Sequence, residues 1–354
     1  MSDTIAAIAT APAPGAIGIL RLSGDGAIAA ASAVFRPASG LPLAEQQDRR
    51  LIYGALLGPD GSVIDQALAT ISRAPHSYTG EDTAEVQCHG SPMVLSLGLE
   101  SLFRQGARQA LPGEFTKRAF LHGRLDLTQA EAVADLVDAE TPAAVRQAAG
   151  QLSGVLGRRV RAVYDGLVDV LAHFHAVLDY PDEEIDPFRS ETIGGALDRA
   201  REALEGLLAT YDRGRYICGG VPCVLAGRPN AGKSSLLNAL VGYERAIVTD
   251  IPGTTRDTIE ESIKIGGVPL VLMDTAGLRE TDNRVEQIGI ERARASMEKA
   301  DLILAVIDGS QPLTPDDRNL LSSLKGRNAI VILNKYDLPQ ETEIEDVREL
   351  SGNI

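Results

Sequence analysis

Gly227-Arg228-Pro229-Asn230-Ala231-Gly232-Lys233-Ser234 is the stretch on which the reading of this chain turns. It fits G-x-x-x-x-G-K-[ST], the pattern of a phosphate-binding loop. The flanks agree. Residues 222–226 form an apolar run that predicts a strand, and residues 235–241 carry the apolar spacing of a helix. Each residue type has a chemical reason. Glycine lets the backbone curl so that its N–H groups point at phosphate oxygens, and the following helix N-terminus adds a favourable dipole. Lys233 is placed to neutralise charge between the β- and γ-phosphates, and the Ser234 hydroxyl to ligate Mg²⁺. Asn230, Ala231, Gly232 and Ser235 complete the cradle.

Three further segments follow in order. Thr249-Asp250-Ile251-Pro252-Gly253-Thr254-Thr255 is a polar loop placed to close over the γ-phosphate, with Thr255 completing the Mg²⁺ shell. Asp274-Thr275-Ala276-Gly277 ends an apolar run; Asp274 would reach Mg²⁺ through water and the Gly277 amide would face the γ-phosphate. Asn334-Lys335-Tyr336-Asp337 ends a later run. A carboxylate there accepts both N1–H and the 2-amino group of guanine, and adenine offers neither donor. Four ordered motifs at strand ends predict a GTP site. The residue after the third motif is Leu278, which cannot orient an attacking water as glutamine does. Glu286, in the polar stretch 279–287, is the candidate for that task; its other reading is a solvated acid at a helix start. Arg256 and Arg279 are candidate charge stabilisers or plain surface residues.

Outward from the loop, the texture changes twice. Residues 216–354 alternate apolar runs (270–273, 302–307, 329–333) with helical stretches, which predicts a doubly wound α/β domain with a parallel sheet. Residues 118–215 read as helical. Ala130, Val133, Ala134 and Val137 share one face, and Leu197, Ala200, Leu204, Leu207, Leu208 and Tyr211 share another. Between them, residues 180–188 read as an acidic, solvated connection. Residues 1–117 mix short strand-like runs (4–9, 17–22, 51–57, 84–89) with Gly and Pro turns, and read as a compact α+β domain.

Composition narrows the class. The chain has 354 residues, enough for two or three domains at roughly 150 each. It has 34 basic against 49 acidic residues, a net of −15. Bulk charge therefore excludes nonspecific nucleic-acid binding, so any RNA contact needs a local patch or a basic partner. Six Phe, eight Tyr and no Trp argue against a base-stacking platform. Cys88, Cys218 and Cys223 make neither a disulfide framework nor a zinc set. No basic segment precedes the apolar N-terminal stretch, no run is long enough to span a membrane, and no prenylation motif is present. A reduced, cytoplasmic protein is expected.

The whole chain resembles one family. The segments that carry the resemblance are GILRLSG at 18–24, SYTGEDTAEVQCHG at 77–90, PGEFTKRAFLHGRLDLTQAEAVADLVDAET at 112–141, GRPNAGKSSLLNAL at 227–240, TDIPGTTRD at 249–257 and DTAGLRE at 274–280. They resemble the tRNA uridine-modification GTPases of the MnmE (TrmE) type, within the TrmE-Era-EngA-YihA-Septin-like GTPases. The resemblance implies an N-terminal fold similar to the tetrahydrofolate-binding aminomethyl transferases of glycine cleavage, and a helical domain into which a Ras-like G domain is inserted. It implies a homodimer through the N-terminal domain, with 5-formyl- or 5,10-methylene-tetrahydrofolate contacted by Arg21, Glu81 and Arg124. It implies K⁺ held by Asn230, Thr249, Ile251 and Thr254, and Glu286 as the catalytic group. The partner implied is an FAD-containing GidA/MnmG-type subunit, in a heterotetramer that modifies C5 of the tRNA wobble uridine.

The resemblance also implies elements beyond Ile354: a last guanine-backing motif, the final strand and helix of the sheet, and the rest of the helical domain. The expectation is an incomplete G domain with an open sheet edge. Two alternatives stay open. A ribosome-assembly GTPase would share all four motifs but usually carries a basic RNA module. A folate-binding module with an inert G domain would bind without turnover.

Overall fold

The computed structural model describes residues 3–180, 190–243, 261–273 and 296–352. They pack as two compact units, the first comprising residues 1–134 with 151–159 and the second residues 135–150 with 160–354.

The first unit is built on a seven-stranded sheet. Its strands are β1 (Ile5–Ile8), β2 (Gly15–Ser23), β3 (Phe35–Pro37), β4 (Ile52–Leu57), β5 (Val63–Ser72), β6 (Thr83–Gly90) and β7 (Arg108–Gln109), in the order β3-β4-β5-β6-β2-β1-β7. All neighbours are antiparallel except β1 and β7. The two-residue period sorts the side chains. Leu20 and Leu22 of β2 and Ala84, Val86 and Cys88 of β6 face the core, while Arg21 and Glu85 pair on the opposite face. Helices Ala27–Val34 and Pro92–Arg104 cover the apolar face through Ala27, Ala31, Val34, Leu95 and Leu102. Strand β5 was not among the expected strands. Its inward residues are Ala67, Ala69 and Ile71, so two of the three core positions carry only a methyl group and the apolar alternation is weak.

The second unit carries a five-stranded sheet in the order β12-β11-β8-β10-β9. The strands are β8 (Val221–Ala226), β9 (Glu261–Ile265), β10 (Val268–Leu272), β11 (Leu302–Asp308) and β12 (Ala329–Asn334). Four are parallel, as the alternation of runs and helices predicts, but β9 is antiparallel to β10. The sheet is thus mixed rather than wholly parallel, because the two-residue Gly266-Gly267 link permits only a tight hairpin. Strand β11 is buried along Ile303–Ile307, as a central strand covered on both faces must be. One face packs Ile303, Ala305 and Ile307 against Leu321, Leu324 and Val347; the other packs Leu304 with Cys223, Leu237 and Leu272.

The helical stretch contains Leu127–Val137, Pro142–Leu152, Val155–Asp179, Ser190–Leu208 and Tyr211–Gly219. The face expected to run from Leu197 to Tyr211 is divided. The first helix stops at Leu208, the Thr210 hydroxyl donates to the Leu207 carbonyl at 2.8 Å, and Tyr211 opens the next helix. Cys88 and Cys223 are buried free thiols in strands, and Cys218 lies half-buried in helix Tyr211–Gly219.

Candidate functional site

The parallel register brings the C-terminal ends of β8, β11 and β12 to one edge: Ala305 pairs with Ala226, and Asp308 pairs with Asn334. Open parallel sheets bind ligands there. Residues 227–232 leave β8 at that edge, and helix Lys233–Tyr243 follows.

The loop is built from backbone. Gly227 has φ +150°, and a Cβ on it would stand 2.4 Å from the Val306 carbonyl oxygen. Gly232 has φ +99°, and a Cβ there would stand 1.9 Å from Asn334 Nδ2. A Cβ on Gly227 would collide with backbone, and one on Gly232 would have to displace the Asn334 amide. Asn230 is left-handed at φ +63°, a conformation asparagine tolerates better than most residues. The Lys233 ammonium donates to the carbonyls of Gly227 and Arg228 at 2.7 and 2.8 Å, and burial pushes its pKa below the usual lysine range. A phosphate entering the loop would give that half-buried cation an anionic partner in place of two neutral carbonyls. Ala231 is buried, whereas Ser234 and Ser235 are exposed on the first helical turn.

The segment 334–337 sits directly against this loop. Asn334 Nδ2 donates to the Ala231 carbonyl at 2.9 Å, and the Gly309 N–H donates to the Asn334 carbonyl at 3.1 Å. Lys335 is left-handed at φ +61°, and its ammonium donates to Asp308 Oδ2 at 2.8 Å. Asp308, 3% exposed, also accepts from the N–H and hydroxyl of Ser310. Asp337 is exposed on the turn that the Leu338 N–H closes onto the Lys335 carbonyl at 3.0 Å. Asp308 and its neighbours escaped the sequence reading. The only signal was an acid ending an apolar run before Gly309-Ser310.

Several expected site residues lie outside the described residues: Thr249, Asp250, Ile251, Pro252, Gly253, Thr254, Thr255, Asp274, Thr275, Ala276, Gly277 and Glu286.

In the first unit, the three residues expected at folate occupy one sheet face and its adjoining loops. Arg21 Nε donates to Glu85 Oε1 at 2.7 Å and lies 5.8 Å from the centre of the Phe115 ring. Ser23, on the same face of β2, donates to Glu81 Oε2 at 2.7 Å. Arg118 Nη1 reaches the same oxygen at 3.0 Å, so the buried Glu81 carboxylate has a buried cation beside it. Arg124 is exposed, and its Cγ would be 3.3 Å from a Cβ on Gly80, the residue before Glu81. His122 Nδ1 meets the carbonyls of Thr79 and Arg118, each at 2.9 Å, which requires a proton on Nδ1.

Arg118 is the residue that sequence reasoning missed. It also donates to the Asp3 carbonyl and carboxylate at 2.8 and 2.6 Å, and to Glu114 Oε1 at 3.2 Å. Arg108 grips Glu114 through both terminal nitrogens at 2.9 and 2.6 Å. That fork, followed by the hydrogen bond from the Leu111 N–H, outweighs burial and lowers the Glu114 pKa from 4.5 to about 2.

Comparison with known proteins covers both units. Residues 4–124 match the family described as GTP-binding protein TrmE N-terminus, and residues 222–335 match the family described as 50S ribosome-binding GTPase. The tRNA modification GTPase MnmE of Chloroflexus aurantiacus is 51% identical over 339 residues, 96% of this chain and 74% of that protein. Its namesake from Clostridioides difficile is 46% identical over 353 residues, 100% of this chain and 77% of that one. That of Heliobacterium modesticaldum is 48% identical over 356 residues, 100% and 76% of the two. A nucleotide loop and a TrmE-type N-terminus on one chain, with such identity throughout, have one consequence: the chain belongs to the MnmE family of tRNA modification GTPases.

Proposed function

We propose that this chain is the GTP-hydrolysing component of tRNA wobble-uridine modification, adding aminomethyl or carboxymethylaminomethyl groups at C5 of U34. The observation that carries the GTP half is the hydrogen bond from Asn334 to Ala231, which joins phosphate loop and base loop into one site. Asp337 reads guanine through N1–H and the 2-amino group. Lys233 meets the β- and γ-phosphates with a cation already partly stripped of water.

The donor set suits the ions. Ser234 and Thr255 carry hydroxyls fit for Mg²⁺, which neutralises phosphate charge. Asn230, with Thr249, Ile251 and Thr254, offers neutral oxygens fit for K⁺, a positive charge where an arginine would otherwise stand. Glu286 orients the attacking water in place of the glutamine that Leu278 replaces.

The folate assignment suits the charges of the first unit. Arg21 and Arg124 match carboxylates, and Glu81 accepts pterin N–H donors. Folate, as its 5-formyl or 5,10-methylene form, supplies the one-carbon unit. The chain acts as a homodimer through residues 1–117, in the cytoplasm, with an FAD-containing GidA/MnmG-type subunit in a heterotetramer. A net charge of −15 supports a division of labour in which that partner supplies most of the grip on tRNA.

Mass spectrometry of wobble uridines from a null strain carrying this gene tests the whole reading. Restored modification supports it, and unmodified U34 with stable protein overturns it. GTP turnover compared in K⁺ and Na⁺ tests the ion. Equal rates, or an Asn230→Ala variant with unchanged turnover, would remove the potassium assignment.

A further inference from the structure

Arg228 fills the first free position of the phosphate loop, where the motif asks for no particular side chain. Here it faces two ways. Its carbonyl accepts from Lys233 Nζ at 2.8 Å and from the Ala231 N–H at 3.3 Å. Its guanidinium leaves the loop altogether. Nη2 donates to Gln311 Oε1 at 2.9 Å and stands 3.7 Å from Asp308 Oδ2, while Nε stands 3.7 Å from Asp317 Oδ2.

Both carboxylates are almost fully buried, at 3% and 2% exposure. Asp317 is committed locally. Its Oδ2 accepts from the N–H and hydroxyl of Thr314 in the capping box of helix Pro315–Ser323, and its buried Oδ1 has no hydrogen-bond partner among the described residues. Asp308 Oδ2 is the oxygen that holds Lys335. Arg228, from the phosphate loop, therefore stands beside both buried acids, and Asp308 has Lys335, from the base loop, as its second cation. Removing Arg228 leaves two buried like charges with Lys335 on Asp308 alone, and the arrangement must shift. Lys335 is the part most exposed to that shift. Its left-handed backbone is uncommon for a side chain of its length and persists because neighbours hold it.

We propose that Arg228 is a positioning residue that couples the phosphate loop to the base loop through Asp308, so that the preference for guanine depends on it. The inference rests on the reading of residues 334–337 as the base loop. It separates Arg228 from an ordinary structural cation, which would hold the fold without affecting the choice of base.

The test measures equilibrium binding of GDP and inosine diphosphate to the 354-residue chain. Inosine lacks the 2-amino group that Asp337 would accept, so the ratio of affinities reports the alignment of the base loop. Arg228→Gln is expected to lower the GDP preference by about five- to tenfold, the low end of couplings between sites. Arg228→Lys keeps the charge but loses the fork, and is expected to lower it about two- to threefold. Equal weakening of both nucleotides, or an unchanged ratio with a lower melting temperature, overturns the proposal. If Arg228→Gln does not fold, an unchanged ratio in Arg228→Lys overturns it alone. Asp337→Asn is the control and should move preference from GDP towards xanthosine diphosphate. If it does not, the base-loop reading has failed; if it does, an unchanged ratio is the failure of Arg228 alone.

Discussion

The two charged sites are built on opposite plans. Around Lys233 the work is done by backbone: two glycines without room for a Cβ, carbonyls that hold an ammonium, and a helix N-terminus, most of it within a few consecutive residues. Around Glu81 the work is done by side chains. Arg108, Glu114 and Arg118 come from one short stretch, but the partners they meet do not: Arg118 reaches Glu81 across 37 positions and Asp3 across 115. A backbone site tolerates changes in its neighbours but no added atom. A side-chain site tolerates added atoms at its rim but no lost charge.

The sharpest way to break this contrast is to remove one charge from the first unit. Arg118→Ala removes the buried guanidinium that stands 3.0 Å from the Glu81 carboxylate, so a loss of about 3–5 kcal/mol is expected by chemical denaturation. GTP affinity should stay within twofold (about 0.4 kcal/mol) in the variant that still folds, because the two sites share no residue. A coupled loss of GTP binding would show that the two plans are not independent.

Adding a methyl group to the second site comes next. Gly232→Ala displaces the Asn334 amide and breaks its bond to Ala231, and a resulting shift on the order of 1 Å costs roughly a hundredfold in turnover. The fold should survive, as circular dichroism can check. Near-normal GTP turnover would mean that the loop is more pliant than its geometry implies.

Acid sharpens the comparison further. Glu114 has its pKa lowered from 4.5 to about 2, so its contribution is present above 4.5 and is lost as pH falls towards 2. The first unit should therefore lose stability across that window, and Glu114→Gln should flatten the slope there. An unaltered slope would assign acid sensitivity elsewhere.

The smallest effect is expected at Arg21. Its pair with Glu85 is partly exposed, so Arg21→Gln should cost less than about 1 kcal/mol of stability. On the proposed assignment the same change weakens folate binding at least tenfold, the scale of about 1.4 kcal/mol for one charge-assisted contact. Unchanged folate affinity would remove Arg21 from that site.

The same difference in plan explains what could be read in advance. The loop at 227–232 and the turn at 334–337 were legible as motifs because each occupies consecutive positions, and the strands around them were legible because parallel strands are long apolar runs. Strand β5 was not, since Ala67 and Ala69 give almost no hydrophobic signal. Strand β9 was missed altogether, and its reversal with it, because a glycine pair marks a turn without saying which strands it joins. Arg118 looked like any surface base until the fold carried Asp3 and Glu81 to it. Arg228 stood in plain view, but as a position the motif leaves free.

The placement of the three thiols has a practical side. Burial pushes Cys88 up to about 11 and Cys223 up to about 12, so both remain protonated and shielded at neutral pH. Cys218, half-buried on the helix that leads into β8, is the accessible one. Burial and the nearby Asp135 push the Cys218 thiol up as well, so labelling there is expected to be favoured at mildly alkaline pH. A thiol-reactive fluorophore should attach once per chain, and its attachment point stands just ahead of the strand that delivers the phosphate loop.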